Sequence, residues 1–192
     1  MATQTSKKHY DVIVIGAGAG LPKLARPATS LGLKVALCEK GPLGGTCLNR
    51  GCIPSKMLIH PADVATQIDD APRVDLQING TYQIQFSDLV NRVCETIDAD
   101  SLSINPAVEN NKLMDWYRQP AKFIGERTLE IDNEEKTVIS ADRIFIAAGG
   151  RSKIPSEEEI EGLAGTPYMT STEALRHTVQ PKKLIVLGGG YI

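Results

Sequence analysis

The 192-residue sequence has only four cysteines, few aromatic side chains and no long apolar run. The short apolar run after the first lysines meets glycines instead of a cleavage site, so neither a secretory signal nor an extracellular disulfide framework is expected. No stretch approaches the roughly 20 apolar residues of a membrane-spanning helix. Lysine and arginine are scattered and the formal net charge is -2, which argues against nucleic-acid and membrane partners. The expected location is the cytoplasm.

Hydrophobic residues make up 42% of the sequence, which is enough to form a globular core. The run "YDVIVIG" at residues 10–16 is β-branched and apolar, which is typical of a strand buried on both faces of a parallel sheet. A helix is expected from Gly20 to Leu31, followed by a second buried strand, "LKVALCEK", at residues 33–40. The chain therefore opens with a β-α-β unit.

The middle of the chain changes from helical to extended patterns. Apolar residues recur at helical spacing within residues 54–71 and again within 87–111, where Pro106 should break or bend the helix. Residues 115–150 then show short alternating runs separated by turn signals. They predict a small antiparallel meander that returns into one more buried strand, "RIFIAAGG", at residues 143–150.

The first turn after a strand, "GAGAGL" at residues 16–21, carries the glycine pattern of a dinucleotide site. Gly16 can make the tight turn, and Gly18 lets the backbone approach a pyrophosphate near the helix N-terminus. Glu39 lies about 23 residues after Gly16, where an acid that binds ribose is expected. The order of these features predicts a dinucleotide site; the alternative is an ordinary glycine turn with Glu39 as a solvated strand end.

Three residues depart from the usual pattern of this turn. Leu21 occupies the third fingerprint position, which is usually glycine. Pro22 is acceptable near a helix start because its missing N–H has no partner there anyway. Pro27 falls in the expected helix interior, where it should cost about 3 kcal/mol or force a kink, and the sequence offers no explanation for it.

The stretch "GGTCLNRGCIPSK", residues 44–56, contains Cys47 and Cys52. They can be a metal pair, two buried thiols or a redox couple. Tetrahedral zinc usually needs four ligands, and the other cysteines and histidines are scattered, so no metal site is expected. A redox couple fits better, because Pro54 suits the first turn of a following helix and would place Cys52 where the helix dipole favours a thiolate.

This stretch resembles the active-site signature of the pyridine nucleotide-disulfide oxidoreductases, and the resemblance extends from Tyr10 along essentially the whole chain. Members include dihydrolipoamide dehydrogenase and glutathione, mycothione and mercuric reductases; the "CLN.GCIPSK" form is most similar to the first. The resemblance implies an α/β fold, a Rossmann-like FAD-binding domain with a parallel sheet, helices on both faces and a small antiparallel β-meander. It also implies a disulfide that opens and closes beside a flavin.

The resemblance implies a role for each matching position. Cys47 would exchange with the substrate, Cys52 would lie next to the flavin, and Lys56 would sit near flavin N5. Ala148 stands where the family has a threonine, so a hydroxyl contact is lost there. The positions implied to contact FAD are Gly16, Gly18, Ala19, Gly20, Glu39, Lys40, Gly45, Thr46, Lys56, Ala121, Ala148 and Gly149.

The implied reaction passes hydride from a nicotinamide to flavin and then to the Cys47–Cys52 disulfide; dihydrolipoamide dehydrogenases run it in reverse and reduce NAD. Residues 1–150 would form the FAD domain, 151–183 a connector, and 184–192 the first strand and glycine turn of an NAD(P)-binding domain. Substrates would be small-molecule or lipoyl-linked dithiols and disulfides. The full-length parent would be a homodimer, and turnover by this chain alone is not expected.

Two other classes of function stay open. A flavin-binding or thiol-bearing module without turnover is favoured by the departures at Leu21, Pro27 and Ala148. A structural zinc protein is disfavoured by the number of ligands. Within the enzyme class, an activity of the mycothione, glutathione or mercuric reductase type is the alternative to dihydrolipoamide oxidation.

Overall fold

The computed structural model describes residues 8–190 as two compact units, and residues 1–7 and 191–192 lie outside this description. The first unit comprises the chain up to Asn49 and Ala99–Gly150, and the second comprises Arg50–Asp98 and the chain from Arg151. The strands are β1 Lys8–Ile15, β2 Val35–Cys38, β3 Met114–Tyr117, β4 Ala121–Gly125, β5 Thr128–Ile131 and β6 Val138–Ile146. The α-helices are α1 Arg26–Ser30, α2 Gly45–Arg50, α3 Cys52–Asp70, α4 Phe86–Ser103, α5 Asn105–Glu109 and α6 Ser171–Ala174.

All six strands belong to the first unit and form one sheet in the order β3-β2-β1-β6-β5-β4. β1 runs parallel to β2 and β6, and β2 runs parallel to β3. The β4–β5 and β5–β6 pairs are antiparallel. The predicted α/β class, with a mostly parallel sheet and an antiparallel portion, is therefore confirmed.

Alternation along β1 and β2 produces a buried cluster on each face of the sheet, as expected for strands covered on both sides. On one face the strands pack against α1, the turn before it and α5; this cluster contains Val12, Val14, Leu21, Ala25, Ala28, Val35, Leu37 and Val108, with others. The cluster on the other face contains only strand residues: Tyr10, Ile13, Ala36, Cys38, Leu129, Ile131, Ile139 and Ala141. Strand side chains thus fill the face where helices were also expected.

The extended region differs from its prediction in two details. Met114 pairs with Val35, so β3 joins the parallel part of the sheet and the meander consists of β4, β5 and the start of β6. The final strand was expected to be buried, but Phe145 and Ile146 are 39% and 72% exposed. β5 pairs only with Val138–Ser140, which explains why the second half of β6 is less covered.

The helix expected between Gly20 and Leu31 forms, and its first part is a π-helical turn, Leu21–Ala25. The Arg26 N–H bonds to the Leu21 carbonyl five residues earlier. The wider turn accommodates Pro27 in the first turn of α1, where an α-helical path would bring its ring against a carbonyl. Pro27 is thus explained by a local change of helix type.

The long helices of the second unit are α3 and the part of α4 up to Asp98; the last residues of α4, from Ala99, belong to the first unit. Of the apolar residues expected to share one side of α4, Val93 and Ile97 are buried and Leu89 is half-buried, whereas Leu102 is 65% exposed. The break predicted at Pro106 occurs between Ser103 and Asn105, because proline prefers the first turn of α5. Within residues 8–190, no helix combines the length and the apolar character that a membrane span requires.

The strand predicted near the end of the sequence is not formed in the part that the structure describes. Residues 184–187 have no strand assignment, and Ile185 and Val186 are 86% and 74% exposed. An isolated strand leaves its backbone groups unpaired, which is the physical reason. Tyr191 and Ile192, the last two residues of the predicted segment, lie outside the described residues.

Replacing Asp98 by asparagine is expected to lower the stability of the second unit modestly and in a pH-dependent way. Arg176 donates two hydrogen bonds to the Asp98 carboxylate, of 2.6 and 3.1 Å, and these bonds lower the Asp98 pKa. Both side chains are more than a third exposed, so the loss should be at most about 1 kcal/mol.

Because the Asp98 pKa is lowered in the folded state, the ion pair stabilises the fold fully at pH values above the ordinary carboxyl pKa of 3.8. This stabilisation is lost as the pH falls further, through the lowered pKa. Thermal unfolding of both proteins between pH 7 and pH 3 measures this effect. The two melting curves should differ at pH 7 and converge at acid pH. A difference that stays constant with pH would contradict the assignment.

Candidate functional site

The first glycine turn begins where β1 ends. Gly16 has a φ of 104°, and its N–H donates to the Cys38 carbonyl at 2.8 Å. A Cβ at this position would overlap the Ala147 carbonyl oxygen, which follows β6. Only glycine fits there, and the turn is held between the carboxyl ends of β2 and β6.

The second glycine loop, Leu43–Gly45, lies against the first turn. The Gly44 N–H donates to the Ala17 carbonyl at 3.3 Å. Gly45 has a φ of 61°, and a Cβ on it would overlap the Gly18 Cα. The structure therefore brings Gly18 and Gly45 into backbone contact, and we call this pair of glycine turns the glycine cradle.

Glu39, which directly follows β2, connects the first glycine turn to the backbone of Gly41. One carboxylate oxygen accepts from the Ala17 N–H at 2.8 Å, and the other accepts from the Gly41 N–H at 2.7 Å. Each oxygen keeps a second lone pair, and the side chain is partly exposed. Glu39 can therefore also accept hydrogen bonds from hydroxyl groups of a ligand.

The glycine cradle fits a dinucleotide such as FAD. A pyrophosphate requires close approach to the backbone at the turn after the first strand, and here two turns without side chains face each other. Leu21, the departure at the third fingerprint position, is only 3% exposed and packs in the core with Val12 and Val14. It therefore points away from a ligand.

The two signature cysteines lie on successive helices. Cys47 lies on α2 in the first unit, Cys52 begins α3 in the second unit, and both are exposed. The Ser55 N–H and hydroxyl bond to the carbonyls of Gly51 and Cys52 at 3.0 and 3.1 Å, which closes the first turn of α3. As predicted, Cys52 is at a helix N-terminus, where the dipole favours a negative charge.

The remaining predicted positions are more dispersed. Ala19, Lys40, Thr46, Lys56, Ala148 and Gly149 are exposed, and Gly20 is buried against Val14 and Ala147. The turn that contains Ala148 follows Ala147, whose carbonyl lies beside Gly16. Ala121 starts β4, which is separated from β1 by β5 and β6. Its side chain packs against the strand-only cluster.

The cysteines outside the signature are less accessible than the signature pair. Cys38 is buried among strand residues, and burial raises the pKa of its thiol to about 12. It therefore stays protonated and unreactive at neutral pH. Cys94 on α4 is half-buried. Within residues 8–190, no three His, Cys, Asp or Glu side chains come together as a metal site would require.

Sequence reasoning missed two polar residues beside the glycine cradle. The Asn49 amide donates to the Leu43 and Gly45 carbonyls, both at 3.0 Å. The Ser101 hydroxyl donates to the same Leu43 carbonyl at 2.6 Å. Asn49 falls inside the quoted signature, but nothing in the sequence indicates its acceptors, and Ser101 is 58 residues from its acceptor.

Comparison with known proteins gives one consistent result. The family model described as pyridine nucleotide-disulphide oxidoreductase matches residues 10–192. Dihydrolipoyl dehydrogenase of Chlamydia trachomatis is 34% identical over 187 residues, which are 95% of this chain and 39% of that protein. Mercuric reductase of Lysinibacillus sphaericus is 31% identical over 195 residues, 97% of this chain and 33% of the relative.

Mycothione reductase of Mycobacterium tuberculosis is 34% identical over 190 residues, covering 95% of this chain and 39% of the relative. Among solved structures, the HOCl-induced flavoprotein disulfide reductase RclA from Escherichia coli, in its Cu(II) complex, has a TM-score of 0.71 at 27% identity. That match covers 89% of this chain and 35% of RclA. The chain thus spans 33 to 39% of the length of these curated relatives.

Proposed function

Because the chain belongs to the pyridine nucleotide-disulphide oxidoreductase family, we propose that it binds FAD on the glycine cradle and exchanges electrons through Cys47 and Cys52. The contact between Gly18 and Gly45 carries this proposal. It joins the dinucleotide turn to the loop that leads directly into α2, the helix of Cys47. Cofactor site and thiol are therefore parts of one local structure.

The cradle residues would hold the cofactor in distinct ways. The backbones of Gly16, Gly18 and Gly45 would lie along the pyrophosphate, and Glu39 would accept hydrogen bonds from ribose hydroxyls. We also propose that Lys56, Thr46 and the Ala148–Gly149 turn contact the cofactor, because the family signature assigns them that role. Bound FAD supplies a two-electron acceptor and donor.

The thiols would carry out disulfide exchange. A substrate thiolate attacks the Cys47 sulfur of the Cys47–Cys52 disulfide, the S–S bond breaks, and Cys52 leaves as a thiolate. The second thiolate of the dithiol then displaces Cys47 as a thiolate, so the substrate becomes a disulfide and the protein a dithiol. The exposure of both cysteines and the start of α3 at Cys52 support these roles.

For the whole protein we propose the oxidation of dihydrolipoamide, free or linked to a protein, coupled to NAD(P). The "CLN.GCIPSK" sequence and the 34% identity to a dihydrolipoyl dehydrogenase support this choice. We further propose a cytoplasmic homodimer, with residues 1–150 as FAD domain and 184–192 as the start of an NAD(P) domain. Mercuric and mycothione reductases match the chain at similar identity, so a reductase of that type is the second candidate.

The visible absorption spectrum of the chain dialysed with FAD, and then titrated anaerobically with dihydrolipoamide, tests the proposal. A bound flavin spectrum that gains a long-wavelength thiolate-to-flavin band is the expected result. Absence of bound flavin would overturn the FAD site. Bound flavin that does not respond to the dithiol would instead support a flavin-binding module without turnover. Parallel titrations with reduced mycothiol distinguish the two candidate substrates.

A further inference from the structure

Three polar side chains other than tyrosine and cysteine are buried within residues 8–190, namely Asn49, Ser101 and Ser140. Burial of a polar group is unfavourable unless the group is hydrogen-bonded. Two of these three side chains, Asn49 and Ser101, donate to the same acceptor, the Leu43 carbonyl. Buried donors thus converge on one point of the second glycine loop.

The Leu43 carbonyl stands at the entrance to that loop. Leu43 itself is fully buried, and the next two residues, Gly44 and Gly45, have φ values of 101° and 61°. The second Asn49 hydrogen bond goes to the Gly45 carbonyl. The amide therefore fixes both ends of the segment that contacts Gly18, and it joins this segment to α2.

The position of the Asn49 side chain allows its amide nitrogen to donate both of its hydrogen bonds to the loop. Its oxygen, Oδ1, has no hydrogen-bond donor among the described residues, which is unfavourable for a buried acceptor. A leucine, which has the same branched shape, would avoid that unmet acceptor but would leave the Leu43 and Gly45 carbonyls with fewer donors. Asparagine at this position therefore holds the loop through two hydrogen bonds although its own oxygen stays without a donor among the described residues.

We propose that Asn49 and Ser101 are positioning residues that clamp the Leu43–Gly45 loop against Gly18 and thereby set the geometry of the FAD site and of α2. The statement that this loop binds FAD rests on the proposed function, whereas the statement that the two side chains hold the loop in place does not. Two readouts follow from this difference: the affinity for FAD, and hydrogen exchange of the Gly44 amide, which donates to Ala17, in the chain without cofactor.

The test compares Ser101→Ala and Asn49→Asp with the control Ser140→Ala. Ser140 is also buried, but its hydroxyl forms its hydrogen bond with His9 on β1 instead of with the loop. We expect Ser101→Ala and Asn49→Asp to weaken FAD binding about tenfold and to accelerate exchange of the Gly44 amide about tenfold. Ser101→Ala only removes a hydroxyl, so it keeps the test valid if Asn49→Asp does not fold.

Each outcome separates the clamp from the proposed function. If the unmodified chain does not bind FAD, the proposed function fails and Gly44 exchange alone decides the clamp. If the unmodified chain binds FAD and both variants bind it equally well, with unchanged Gly44 exchange, the clamp is wrong. The clamp is equally wrong if Ser140→Ala weakens FAD binding as much as Ser101→Ala does, because the effect is then general destabilisation.

Discussion

Replacing Gly18 by alanine should weaken FAD binding at least roughly a hundredfold, about 2.8 kcal/mol, while the fold stays intact. A Cβ on Gly18 would lie 3.4 Å from the Gly45 Cα, which is ordinary van der Waals contact. The free energy of unfolding should therefore change by less than about 1 kcal/mol. The added methyl group would lie where the two glycine turns meet, beside the backbones along which we place the pyrophosphate.

Gly18→Ala is more informative than a change at the facing glycine. At Gly45, an alanine would overlap the Gly18 backbone and adopt a positive φ, so lost binding could not be separated from damage to the loop. Gly125→Ala is the matched control, because its Cβ would also meet only an ordinary contact, 3.9 Å from Thr128 on the meander. Isothermal titration with FAD and denaturant unfolding measure the two effects.

The outcomes of this comparison are distinct. FAD affinity should fall for Gly18→Ala and stay unchanged for Gly125→Ala, with similar unfolding curves for both. Equal FAD affinity in Gly18→Ala and the unmodified chain would show that the pyrophosphate does not lie against this glycine. A large loss of stability in Gly18→Ala would mean that the two turns pack more tightly than the structure indicates.

The parallel part of the fold was predictable because its signals are local. The apolar runs of β1 and β2 need burial on both faces, and a glycine must follow β1 where the turn has a positive φ. Helix starts at Cys52 and near Pro106 follow from the preference of proline for the first turn. These features depend on residues that are neighbours in the sequence.

The features that sequence reasoning missed depend on distant residues or on a choice between similar local structures. Whether residues 115–117 start a meander or pair with β2 is decided by the whole sheet. Pro27 predicts a disturbed helix, but not that the disturbance is a π-helical turn. The prediction that the end of β6 is buried was wrong because an apolar sequence does not reveal how far the neighbouring strand extends.

The candidate site shows the same division. Each glycine turn, Glu39 and the two cysteines could be picked out from motifs in the sequence. The contact between Gly18 and Gly45 could not, because no spacing rule relates two turns on different segments. The backbone partners of the Glu39 carboxylate were also unpredictable, since an acid at a strand end can equally be solvated.

Replacing Cys47 by serine should leave FAD binding unchanged and reduce dithiol-driven flavin reduction by more than about 10³-fold, because the disulfide sulfur that the substrate thiolate attacks is removed. The side chain is exposed on α2, so serine should be accommodated without a cavity. Anaerobic stopped-flow mixing of the FAD-loaded protein with dihydrolipoamide measures the rate. Cys94→Ser, which removes a half-buried thiol on α4, serves as the matched control.

Cys52→Ser separates the roles of the two thiols. It should also abolish flavin reduction by dithiol, but in addition it should remove the long-wavelength band, since we assign the flavin-facing thiolate to Cys52 at the start of α3. Cys47→Ser should retain that band because Cys52 remains. If Cys47→Ser loses the band and Cys52→Ser keeps it, the two roles are reversed. If both variants reduce flavin at the parent rate, electrons reach it without the signature thiols.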